Sequence, residues 1–253
     1  AQAGRSIGQQ RYELMAARAG GGGAARALAV CLLLAVAMTE AALPRLIERR
    51  VERAVASGFA DVESVEAQAR AFPAVKMLFG HFDRLNVSIR RAHLAGLRVD
   101  SIEVRSIGAQ VPLSDFVPGS GRWARALGDS ELDVSVLDAD INEYLKTRDD
   151  ALRTFSVSFS QGVARLDGSL SFAGLSVSVS SQGRLVIEDN ARLAYVVDKL
   201  SIERSELPAF LLDALEGRIE LGVDLSTLPF GAIVEGVKID AGVAHLYGRT
   251  VKG

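Results

Sequence analysis

The sequence predicts an α+β fold dominated by antiparallel sheet. Three observations carry this. About ten stretches alternate apolar and polar residues with period two, the pattern of strands with one covered and one wet face. Helical patterns are few and total only about forty residues, meagre cover for so much sheet. Ahead of them lies a charge-free apolar run, Ala27–Met38, which aims the chain at a membrane. A sheet curled around one helix, or two sheets packed as a sandwich, would each cover the apolar faces.

Taken in order, residues 1–24 are small and polar, with Gly20–Gly23 in a row, and read as a flexible cytoplasmic leader. Arg5, Arg11, Arg18 and Arg26 precede the apolar run against one acid, Glu13. That is a charged region followed by an apolar one, and the leading arginines predict a cytoplasmic N-terminus. The run spans only about 18 Å as a helix, against a hydrocarbon core of about 30 Å. Residues 25–43 are therefore read as a signal anchor or a cleaved signal peptide. After Pro44, Leu46, Ile47, Val51, Ala54 and Val55 share one face, with Glu48, Arg49, Arg50, Glu52 and Arg53 elsewhere. This predicts an amphipathic helix of about fifteen residues with Pro44 in its first turn and Ser57-Gly58 at its end.

Residues 44–253 are long enough for a single exported domain with a substantial core. The chain carries 29 basic and 31 acidic groups; four Arg and two Glu precede residue 44, leaving 25 and 29. A net-acidic domain argues against nucleic acid, which wants a basic footprint. The only cysteine is Cys31, so the exported part must hold together without disulfides.

Within the domain, Val65–Ala71 alternate as a strand. Phe72–Gly80 reads as a short helix with Pro73 at its start and Gly80 at its end. Strands follow around Leu85–Ile89 and over Leu97–Val111. Residues 112–130 form a loop holding Phe116, Trp123, Arg122 and Arg125. Its aromatics either meet a membrane interface or fold back onto the core. Leu132–Val136 is a strand, and a short helix carries Leu137, Ile141, Tyr144 and Leu145. Phe155, Val157 and Phe159 alternate with serines, as do Leu175, Val177 and Val179; Leu185 and Ile187 follow after Gln182-Gly183. Leu200 and Ile202 mark a strand, Pro208–Glu216 a helix, and Ile219–Leu225 another strand. The pattern G-V-A-x-L-x-G occurs at Gly162–Gly168 and again at Gly242–Gly248, which suggests two related units.

Catalytic signals are absent: no G-x-S-x-G, H-E-x-x-H, C-x-x-C or P-loop. His81, His93 and His245 stand alone in the sequence, without a partner at ligand spacing. Asp138, Asp140 and Asn142 give D-x-D-x-N with Asp149 beyond, as in a calcium loop, but Glu143 occupies the position that needs glycine. The same residues read as a helix start capped by Asp140 with Glu143 three residues on. No catalytic, cofactor-binding or metal-binding residue is assigned. What remains is aliphatic capacity, which suits acyl chains and equally a plain core.

A helix near the membrane, then F-P-x-V-x-x-L-x-G (Phe72–Gly80), then G-L-R-V-D-S-I-E-V (Gly96–Val104), then Leu228-Pro229-Phe230-Gly231 before a final Gly242–Gly248 hairpin, resembles the LmeA family of bacterial phospholipid-binding envelope proteins. The resemblance covers about residues 44–248. It implies an exported protein that binds phospholipid, and a fold like the tubular lipid-binding domains: a strongly curved antiparallel sheet wrapped around a long N-terminal helix, plus short helices. It carries no catalytic motif. The expectation is a membrane-tethered, non-enzymatic lipid-binding or transfer protein of the cell envelope, without a cofactor. Acyl chains would lie between the stripe of Leu46, Ile47, Val51 and Val55 and the concave sheet face, with Phe79, Phe82, Phe210 and Leu211 as rim or wall. A scaffold with a packed interior, acting through protein contacts, is the alternative.

Overall fold

The computed structural model describes residues 6–59, 61–94, 96–123, 127–147, 152–172, 175–188, 192–202, 218–224 and 231–250. A helix of 51 residues, α1 (Ser6–Ala56), leads the chain. It is unbroken, with Pro44 inside it, where the sequence predicts a new helix starting at Pro44. The cause is local. The apolar run before Pro44 and the amphipathic run after it are both helical in pattern, and no glycine or asparagine between Met38 and Pro44 offers a stop. Proline forfeits one backbone bond and crowds the preceding turn, but it does not end the helix here.

The strands form two antiparallel sheets. The first has the order β1 (Val62–Arg70), β2 (His81–Leu94), β3 (Leu97–Gln110), β4 (Ser130–Leu137), β11 (Val243–Thr250), β10 (Ala232–Asp240). The second runs β5 (Ser156–Ser160), β6 (Val163–Phe172), β7 (Leu175–Glu188), β8 (Arg192–Ile202), β9 (Arg218–Asp224). Neither sheet closes on itself among the described residues. A short helix, α2 (Asp138–Lys146), joins them, and a 3₁₀ turn, Ala74–Phe79, separates β1 from β2. Strand β7 is a single element, where the sequence breaks at Gln182-Gly183. The break is a bulge in its pairing with β8. A side chain at Gly183 would run into the Val196 carbonyl and the Tyr195 ring, so only glycine fits.

The C-terminal third of α1 lies on the first sheet. Ile47, Val51, Ala54 and Val55 join Ala67, Ala69, Leu85, Val87, Ile89, Ile102 and Val104 in one buried cluster. Val51 and Val55 are 0% exposed, and each contributes about 1.5–3 kcal/mol by leaving water. Trp123 and Phe116 belong to the same cluster, so the loop aromatics fold back onto the core. Phe116 packs edge-on against Phe82, with ring centroids 6.3 Å apart at 84°.

Polar bonds fix where the helix lies. The edge strand β1 donates Ala69 N–H to Glu48 Oε1 at 3.1 Å and Ala67 N–H to Glu52 Oε1 at 3.2 Å. On the opposite flank Arg50 donates to the Phe116 carbonyl at 3.4 Å, and Gly119 N–H donates to Ser57 Oγ at 2.7 Å.

The repeated motif forms the joint between the sheets. Gly162 and Gly242 each end a two-residue hairpin turn with positive φ, 76° and 75° respectively. Gly162 N–H donates to the Ile239 carbonyl at 2.9 Å, and Gly242 N–H to the Phe159 carbonyl at 3.1 Å. Each glycine thus bonds three residues upstream of the other. Phe159, Ala164, Ile239 and Ala244 are buried together beneath the exchange.

Replacing Glu48 or Glu52 by alanine strands a part-buried N–H and is expected to cost about 1–3 kcal/mol of stability in urea unfolding. Glutamine, which keeps an acceptor, should recover most of the loss.

Candidate functional site

The apolar interior is the candidate site. The structure brings Ile47, Val51, Val55 and Phe82 together in the buried core between α1 and the first sheet. Leu46 does not join them: it is 61% exposed on the outer side of α1. Phe79 is 75% exposed on the 3₁₀ turn. Phe210 and Leu211, and the helix predicted over 208–216, lie outside the described residues.

Sequence reasoning missed a second apolar surface. Ile187 and Leu193 pack against the first cluster, Leu166, Leu185 and Val197 against the joint cluster, and Ile141 and Val237 against both. All are half-buried aliphatics. They make a seam that carries the interior from α1 across to the second sheet. The signal was present as strict alternation in β7, but nothing in the sequence says which face of one sheet meets which face of the other.

Polar depressions have the wrong chemistry for an acyl chain. One of about 420 Å³ on the second sheet is lined by Arg165, Asp167, Gly168, Ser178, Val179, Ser180 and Ser201. Its floor is a closed polar network: Arg165 donates to Asp167 at 3.0 Å, and Ser180 Oγ donates to Asp167 at 2.6 Å.

His245 is not alone, contrary to the sequence reading. Ser135, its cross-strand partner, lies 2.9 Å from Nδ1, Asp133 3.6 Å from the same nitrogen, and Asp240 4.0 Å from Nε2. A Ser-His-Asp triad needs hydroxyl and carboxylate on opposite ring nitrogens. Here the serine and Asp133 share one, and Asp240, at 4.0 Å, is beyond hydrogen-bond reach of the other, so the group is a polar ladder across β4, β11 and β10. His93 likewise pairs with Asp61 at 3.4 Å.

The D-x-D-x-N stretch is spent on structure. Asp138 accepts from Phe159 N–H at 3.3 Å, and Asn142 exchanges two bonds with Val157, at 2.6 and 2.8 Å. Both therefore hold β5. Asp140 does not cap the helix: the N-cap is Leu137, and no side-chain cap bond forms. Asp140 points the other way, buried, 3.4 Å from Arg98, and its Oδ2 has no hydrogen-bond partner. Among the described residues no cluster of three metal-ligating side chains occurs.

One segment of α1, Arg26–Ala56, is long and apolar enough to cross a membrane by length and composition. Fold and interior together define a class: an α+β domain with an aliphatic core, built on an apolar N-terminal helix. The chain belongs to the LmeA-like phospholipid-binding family, whose profile matches residues 38–249. No curated protein and no solved structure matches it. The family is a lipid-binding one with no enzyme class attached.

Burial outweighs the nearby Arg98 and pushes the Asp140 carboxyl above its ordinary value; Glu143 and Asp100 add to the rise and Arg91 opposes it. The folded state then holds this proton more tightly than the unfolded chain, whose value is about 3.9. Stability falls as pH rises through the window between the two, and the loss persists at neutral pH. Asp140→Asn should remove that fall. Its urea midpoint is expected to equal or exceed that of the parent at pH 7, with the difference vanishing toward pH 4.

Proposed function

We propose that this chain is a membrane-tethered phospholipid-binding or transfer protein of the bacterial cell envelope, non-enzymatic, with its folded domain outside the cytoplasm. Membership of a phospholipid-binding family carries the reading. The apolar N-terminal helix and the arginines that precede it support the tether and its orientation. Acyl chains lie between the α1 stripe and the concave sheet face, with Ile47, Val51 and Val55 as floor, Phe82 as wall and Phe79 at the rim. Half-buried aliphatics of the seam, Ile187, Leu193 and Val237, continue that surface. They are the side chains with room to move as a lipid enters, because none is fully enclosed. Aliphatic lining without charge suits an acyl chain, which needs apolar area and few polar contacts.

A second reading, an envelope scaffold with a packed interior, is favoured by the complete burial of Val51 and Val55. One experiment separates the two. The full chain is reconstituted in vesicles containing a phospholipid with a diazirine near the end of one acyl chain, irradiated, and digested for mass spectrometry. Bulk lipid labels only the apolar segment 27–43 and surfaces touching the bilayer. A bound lipid is expected to label the 47–55 peptide and the seam residues as well. Labelling that leaves both peptides untouched in a folded protein would sink the groove and favour the scaffold.

A further inference from the structure

The uncharged span of α1 is short, and the domain supplies what it lacks. Between Arg26 and Arg45 the only charge is Glu40. Those intervening residues rise about 27 Å as a helix, close to a hydrocarbon core of about 30 Å. Exposed arginines at both ends can reach the headgroups. Glu40 then sits about 7 Å inside the boundary marked by Arg45, at a depth where an unpartnered carboxylate is costly.

Glu40 is not unpartnered. Its Oε1 accepts the Ala74 N–H at 2.8 Å. That bond holds the turn Ala74–Phe79 beside α1 at Glu40's own level. The turn has two sides. Ala74 and Met77 face the core and are buried. Val75, Leu78 and Phe79, with Phe72 just before, are exposed, Phe72 by 77% and Leu78 by 51%. Lone exposed apolar residues mean little, but these four fall within eight positions, beside the point where an apolar helix leaves the domain. Lys76 is exposed among them, an arrangement of aromatic, aliphatic and cationic side chains suited to the headgroup–acyl boundary.

We propose that Phe72, Val75, Leu78 and Phe79 form a membrane-insertion surface, entering the outer leaflet of the bilayer that α1 spans. The inference rests on the reading of α1 as a membrane anchor. Its consequence is that the domain is seated in the leaflet and not held off it on a stalk. The core side of the same turn, with Phe82 three residues on, then lies at the lipid surface.

Site-directed spin labelling tests this on the full chain, because its single cysteine gives a built-in reference. Three samples are reconstituted in phosphatidylcholine–phosphatidylglycerol vesicles: the parent labelled at Cys31, and Phe79→Cys and His93→Cys, each with Cys31→Ser. Residue 93 lies near the far end of β2 from residue 81. Power saturation compares collision with oxygen, which favours lipid, and with a water-soluble nickel complex. The expected result is a high oxygen-to-nickel ratio at 31 and 79, several-fold above that at 93. A high ratio at 31 with 79 as aqueous as 93 would overturn the insertion surface and leave the anchor standing. An aqueous ratio at 31 would overturn the anchor and the insertion surface together.

Discussion

The two hydrogen bonds from β1 to Glu48 and Glu52 set the frame for everything else. A sheet edge presents free N–H groups that must be covered, and here a helix covers them with carboxylates. The spacing makes this possible. One turn of α1 advances about 6 Å between the two glutamates, and two residues of β1 advance about 6.6 Å between the two alanines. Bonding at both points therefore fixes the helix lengthwise and in rotation. With Glu48 and Glu52 turned to the edge, Ile47, Val51 and Val55 turn onto the sheet. Ala67 and Ala69, buried and small, let the helix come close enough for the bonds to form. The same carboxylate device recurs further up the helix at Glu40.

Much of this was legible in the sequence. The α+β class, the antiparallel pairing and the buried stripe of α1 follow from periodicity, because period two and period 3.6 report directly which face is covered. Family membership was legible in the order of short motifs. The continuity of α1 through Pro44 was not, since proline weighs heavily as a boundary signal while a helical pattern on either side outweighs it. The continuity of β7 through Gly183 was not legible either, because a glycine required by a close approach looks the same in sequence as one required by a turn. The role of Asp140 is hidden for a related reason: a carboxylate in a first helical turn can cap, pair or ligate, and only the position of Arg98 on another strand decides.

The candidate site was half legible. The burial of Ile47, Val51, Val55 and Phe82 was legible because strongly apolar positions in a helix or beside a turn end up inside. Leu46 and Phe79 are equally apolar but lie exposed outside the core, and composition cannot separate a side chain that faces protein from one that does not. The polar ladder around Ser135 and His245 was invisible because its members come together only by cross-strand register.

The mutual exchange between Gly162 and Gly242 has the form of an isologous interface, the kind two identical subunits make about a two-fold axis. Here both halves belong to one chain, so the joint is an intramolecular dimer of hairpins. Its members come in equivalent pairs, Phe159 with Ile239 and Ala164 with Ala244. Because both hairpins belong to one chain, the contact forms as a folding step, and its strength does not depend on protein concentration as a subunit contact would.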